Sequence, residues 1–120
     1  MNDLNSVYLV GRLTADPKAS ELKNGLSRLT FTLANNQYHY NEEKKEYIHD
    51  AGFFNIITFT EEKNPLKNYL KKGLRIGING RLQDNQYISK TGEKKRSMSI
   101  VAFSIQLLEQ IPNQNTQKSA

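Results

Sequence analysis

Apolar residues recur at every second position along most of this chain, and that period limits its folding choices more than any other feature. Val7, Leu9, Gly11 and Leu13 alternate with Tyr8, Val10 and Arg12, which sorts the two sets onto opposite faces of a pleated strand. After the turn signal Asn24-Gly25, Leu29, Phe31 and Leu33 share one face, opposite Arg28, Thr30 and Thr32. Residues 53–59 are apolar on both faces, so periodicity does not say which side is core. Leu74, Ile76, Ile78, Gly80 and Leu82 then alternate with Arg75, Gly77, Asn79 and Arg81, and a last strand is expected over 96–108. Gly77 and Gly80 inside a strand predict a bend or bulge.

One segment breaks the period. Asn64 suits a helix N-cap, Pro65 the first helical position, and Leu66, Tyr69 and Leu70 share a face at i, i+3, i+4. Lys71 and Lys72 complement the negative end of a helix, and Gly73 fits the left-handed position beyond it. The spacing predicts a helix of about two turns plugging one end of the sheet. Residues 35–50 are polar and aperiodic and predict a long mobile loop. Residues 89–95 read as a hairpin tip, and 110–120 as a disordered polar tail. At 120 residues there is room for one domain, expected over 1–109. Three strands, a short helix and two strands is the order of an all-β, five-stranded OB-fold Greek-key barrel, with its α-helix between strands 3 and 4.

That fold alone does not decide function, but the charges narrow it. Seventeen Lys and Arg against twelve Asp and Glu leave +5, which attracts polyanions. Residues 81–96 carry a local +3 and 12–28 a local +2, whereas 42–50 are acidic. There is no cysteine, hence no thiolate nucleophile, thiolate metal site or disulfide. A nuclease on such a barrel needs carboxylates converging on a metal. Here Glu42-Glu43 and Glu61-Glu62 are adjacent and diverge, and His39 and His49 lack partners at ligand spacing. The expectation is no enzyme, no metal and no cofactor.

Binding of single strands needs phosphate-tracking cations and rings on which bases stack. Tyr38 and Tyr40 lie in the polar segment, Tyr87 beside the basic hairpin, and Phe53 and Phe59 are six apart and so on one strand face. For Phe53 and Phe59 pattern alone leaves core and ligand face equally open. Phe31, Phe54 and Phe103 are expected in the core, and Tyr69 in the packing of the helix. Arg12, Arg28, Arg75 and Arg81 fall opposite the apolar sets of their strands, where guanidinium groups can pair with phosphate.

Several runs resemble bacterial single-stranded DNA-binding proteins: 5–17 (NSVYLVGRLTADP), 31–34 (FTLA), 53–59 (FFNIITF), 69–73 (YLKKG), 80–82 (GRL), 91–94 (TGEK) and 105–108 (IQLL). Together they span about 5–108. The resemblance implies an OB-fold that assembles as a homotetramer and coats single-stranded DNA without sequence preference in replication, recombination and repair. It implies a cytoplasmic, nucleoid-associated place. The family's aromatic positions correspond to the segment holding Tyr38, His39 and Tyr40, and to Phe53, Phe59 and Tyr87. Its basic contacts correspond to Lys72 and Lys95, to which the charge pattern adds Arg12, Arg28, Arg75, Arg81 and Lys94. The chain departs from the family in having no Trp. Residues 111–120 hold no acid and no aromatic, unlike the acidic tip with which cellular members recruit replication and repair proteins, so that role is not carried over. A dimeric primosome-type OB accessory protein is the rival binding module, and stacking does not read the 2′-hydroxyl that separates RNA from DNA.

Overall fold

Every alternating segment becomes a strand of a single sheet. The computed structural model describes residues 2–109, and the expected tail over 110–120 lies outside them. The strands are β1 (Val7–Leu13), β2 (Lys18–Glu21), β3 (Leu26–Asn41), β4 (Glu46–Glu61), β5 (Arg75–Ile88) and β6 (Lys94–Leu107). A 3₁₀ turn (Lys23–Gly25) joins β2 to β3, and α1 (Leu66–Tyr69) lies between β4 and β5.

The sheet runs β1-β5-β6-β4-β3-β2, and an added β1–β3 pairing closes the first five of these into a barrel. β2 pairs with β3 alone, so it hangs outside. Counting only barrel strands, the helix stands between the third and fourth, which is the OB-fold arrangement the strand order predicts. All ladders are antiparallel except β4–β6. Leu13, Leu29, Leu33, Ile56, Leu70 and Ile76 are fully buried and form the core with their neighbours. Gly11 sits where β1 passes from β5 to β3, and a Cβ there would lie 2.7 Å from the Ala34 carbonyl oxygen. Only glycine allows that approach.

Three expectations are corrected. The helix is one turn, not two. The Asn64 side chain does accept a hydrogen bond from the Leu66 N–H at 2.8 Å. But the backbone turns extended at Leu70 and delivers that side chain to the core with 1% exposure. Gly73, at φ +90°, then completes a separate turn.

Residues 35–50 are not a mobile loop. β3 and β4 continue as an unbroken antiparallel ribbon from Leu26↔Glu61 to Asn41↔Glu46. The ribbon's outer arm leaves the barrel, so neither of its faces meets a core, and no apolar alternation is needed to hold it.

Phe103 is not in the core. The β5–β6 register slips between Asn79 and Gly80, so that Asn79 opposes Ser104 and Gly80 opposes Ala102. Phe103 is the extra residue and is 64% exposed. A bulge sends two consecutive side chains to one side, and both Phe103 and Ser104 are exposed here. Phe31 is buried, and Phe54 is half-buried against the core.

Candidate nucleic-acid interface

The β3–β4 ladder brings rings and polar groups together on its outward face. Residues directly opposite each other in an antiparallel pair project to the same side. Arg28↔Phe59, Thr30↔Ile57, Thr32↔Asn55, Ala34↔Phe53, Tyr38↔His49 and Tyr40↔Tyr47 are all such pairs in one continuous register. The Tyr38 and His49 ring centroids are 5.0 Å apart, and those of Tyr40 and Tyr47 are 5.3 Å apart, edge to face. At a rise of about 3.3 Å per residue the face runs roughly 40 Å from Tyr47 to Phe59.

Phe53 and Phe59 are 66% and 50% exposed, which settles the question periodicity left open: both face solvent. Charge is sorted with the rings. Between Tyr47 and Phe59, and along the partner residues from Arg28 to Tyr40, this face bears no carboxylate, because Glu46 and Asp50 fall on the reverse side.

The β5–β6 arm repeats the arrangement. Arg81, Gln83, Asn85 and Tyr87 oppose Val101, Ser99, Ser97 and Lys95, again without a carboxylate. Asn85 donates to Ser99 Oγ at 2.9 Å, a polar ladder leading to the exposed ring of Tyr87. Asp84 lies on the reverse, paired with Arg96 at 2.5 Å. The Arg96 hydrogen bond, aided by one from Gln86, holds the Asp84 carboxyl below the usual carboxylate range.

One lateral row joins the two arms. Lys18 pairs with Thr30, Thr30 with Ile57, Ile57 with Val101 and Val101 with Arg81. The row crosses five strands with a cation at each end. Beside it lies a groove of about 330 Å³, with Asp16, Lys18, Arg28, Thr32, Asn55 and Ser99 in its lining. Two positions beyond the Ile57/Val101 pair, Phe59 and Phe103 are both exposed on neighbouring strands. The alternation of 96–108 conceals Phe103; the signal that exposes it is Gly80 on the facing strand, where a bulge can form.

The chain matches the model of the Single-strand binding protein family over residues 4–108. It belongs to that family. Staphylococcus aureus (strain Mu50) "Single-stranded DNA-binding protein 2" is 41% identical over 106 residues, covering 88% of this chain and 73% of that protein. "Single-stranded DNA-binding protein" of S. aureus strain MRSA252 is 38% identical over 115 residues, covering 96% of this chain and 72% of the other. Among solved structures, a Plasmodium falciparum SSB in complex with ssDNA matches with a TM-score of 0.79 at 23% identity, over 91% of this chain and 98% of that one; the likeness is one of fold. As a family member the chain is a sequence-independent binder of single strands and not an enzyme. Among the described residues, no three His, Asp or Glu side chains gather as a metal site would require.

The remaining expected site residues divide. Lys95 opposes Tyr87 and approaches Glu93 at 3.4 Å. Lys94 opposes Ile88 and so lies on the reverse of the arm, away from Tyr87. Lys72 is in the turn after α1, where its backbone N–H donates to Asp16 Oδ1 at 2.8 Å and ties that turn to the groove wall. Arg12 and Arg75 oppose each other across β1 and β5, and both are engaged by Glu109. The guanidinium of Arg12 meets that carboxylate at 2.8 and 2.9 Å, and the Arg75 backbone N–H donates to it at 3.1 Å.

Proposed function

We propose that the protein coats and protects single-stranded DNA in replication, recombination and repair, by stacking bases on outward rings and neutralising phosphates. The observation that carries this reading is a ring-bearing sheet face that holds no carboxylate from Tyr47 to Phe59. Exposed rings at Phe53, Phe59, Tyr38, Tyr40 and Tyr87 offer stacking platforms, each worth about 1–3 kcal/mol per base. Arg28, Lys18, Arg81 and Lys95 stand beside them on the same side. Stacking accepts any base, because each has a π-face. Arg12 and Arg75 extend the row that holds Phe53, whereas Lys72 and Lys94 lie off the ring-bearing rows.

The homotetramer of the family is the assembly proposed here, in the cytoplasm on the nucleoid. Tyr8 and Val10, two apart on β1 and so on one face, are both exposed, and adjoining exposed apolar groups support association. Sedimentation of the intact chain is expected to give about four times the 13.8 kDa protomer mass, whereas a dimer favours an accessory OB protein.

Titration with poly(dT) tests the binding reading. Tyrosine fluorescence should quench, with far tighter binding than to duplex of equal length. No quenching, or equal affinity for duplex, overturns it.

A further inference from the structure

Glu109 bridges two arginines on neighbouring strands. Arg12 and Arg75 are register partners on β1 and β5, and two like charges directly opposite each other repel. A carboxylate relieves that repulsion by meeting the Arg12 fork through both oxygens while accepting the Arg75 backbone N–H. Arg12 also donates to the Gly73 carbonyl at 2.9 Å, so the fork is held in position independently of Glu109. A planar guanidinium offered in this way binds carboxylate and phosphate with the same geometry.

The site is aligned with the stacking face. Arg75 pairs with Arg12, Arg12 with Ala34, and Ala34 with Phe53. At about 4.8 Å per strand, Arg12 stands roughly 10 Å from Phe53 along this row, within reach of a phosphate flanking a base stacked there. Both Arg12 and Glu109 are partly open to solvent, so a phosphodiester can replace the carboxylate without unfolding the barrel.

We infer that Arg12 and Arg75 form a phosphate subsite for the single strand, which Glu109 fills in the free protein and leaves when the strand arrives. The inference rests on the reading of the protein as a single-strand binder and adds an internal competitor to it. Consistent with a tight contact, the Arg12 hydrogen bond and then the Arg75 N–H hold the Glu109 carboxyl below its usual range.

The test compares the intact chain, E109Q and R12A/E109Q on dT oligomers across a salt series. E109Q should bind roughly three- to fivefold tighter, the scale of one exposed ion pair no longer competing. That gain should be largest at low salt and shrink as salt screens the competing ion pair, so the slope of log affinity against log salt is steeper for E109Q than for the intact chain. R12A/E109Q should lose that gain. Unchanged or weaker binding by a folded E109Q, with the original slope, overturns the proposal. A second measurement needs no variant: the Glu109 carboxyl carbon NMR signal of the intact chain should move to its free position at saturating dT, and a signal that stays put also overturns it. If the intact chain does not bind dT at all, the function itself fails; binding with an unmoved Glu109 removes only the competitor.

Discussion

Arg28 stands directly opposite Phe59 across the β3–β4 ladder, on the outward side of the barrel. A base stacked on the ring therefore has a guanidinium within one side chain's reach of its phosphate. The two residues act on different observables. Phe59→Ala should weaken poly(dT) binding by about 1–3 kcal/mol with little change in salt dependence, whereas Arg28→Ala should flatten the salt slope by about 0.7. Fluorescence titrations at several salt concentrations separate the two effects. Equal slopes in both variants would mean that the pairing has no functional meaning.

Gly80 tests the bulge. A Cβ at this position would lie 2.1 Å from the Val101 carbonyl oxygen, a backbone atom that cannot step aside. Gly80→Ala is expected to cost about 1–3 kcal/mol or more, as overpacking does. Gly77, three residues earlier, would meet only Leu108 and Val10 side chains at 3.6 and 3.7 Å. Gly77→Ala should be neutral or slightly stabilising, by up to about 1 kcal/mol. Urea melts of the two variants give the comparison.

Leu33 is 0% exposed at the centre of β3. Leu33→Ala removes buried methyl groups and leaves a cavity, at an expected cost of about 2–5 kcal/mol. Thermal unfolding measures it, and a loss under 1 kcal/mol would contradict the packing described.

Asp84 gives the β5–β6 arm a pH dependence of definite sign. Its carboxyl is held below the ordinary range by the Arg96 hydrogen bond, with Gln86 contributing. A lowered folded-state value means a contribution fully present above the unfolded carboxylate range, near pH 4, and lost as pH falls through the lowered value. Asp84→Asn should therefore melt below wild type at neutral pH, with the gap closing in acid. A gap that widens on acidification would show the wrong sign.

The fold was legible wherever a strand has one buried and one open face. β1, the inner half of β3, and β5 before its arm carry that contrast in their own residues. β2 carries none: all four of its residues, Lys18 to Glu21, are exposed, and it exists only because β3 offers a free edge. The outer arm of β3 and β4 is silent for the same reason. Its only period-2 mark is aromatic, with Tyr38 and Tyr40 facing Tyr47 and His49, and read as such it predicts a ribbon. Of the site, the rings and Arg28 could be named from sequence. The sorting of carboxylates to the reverse face, the capture of Arg12 by Glu109 and the outward turn of Phe103 depend on register, which no single strand encodes.

The position of β6 has a consequence for synthesis. Although the last of the described strands, it lies between β4 and β5 and completes the ladders of both. On the ribosome, Ile57 emerges well before its partner Val101, and at 5–20 residues per second the wait is roughly 2–9 s. Throughout that interval β4 exposes an unpaired edge in its most apolar stretch, the kind of edge to which other chains add strands. The nascent protein is thus most in need of a chaperone just before β6 appears.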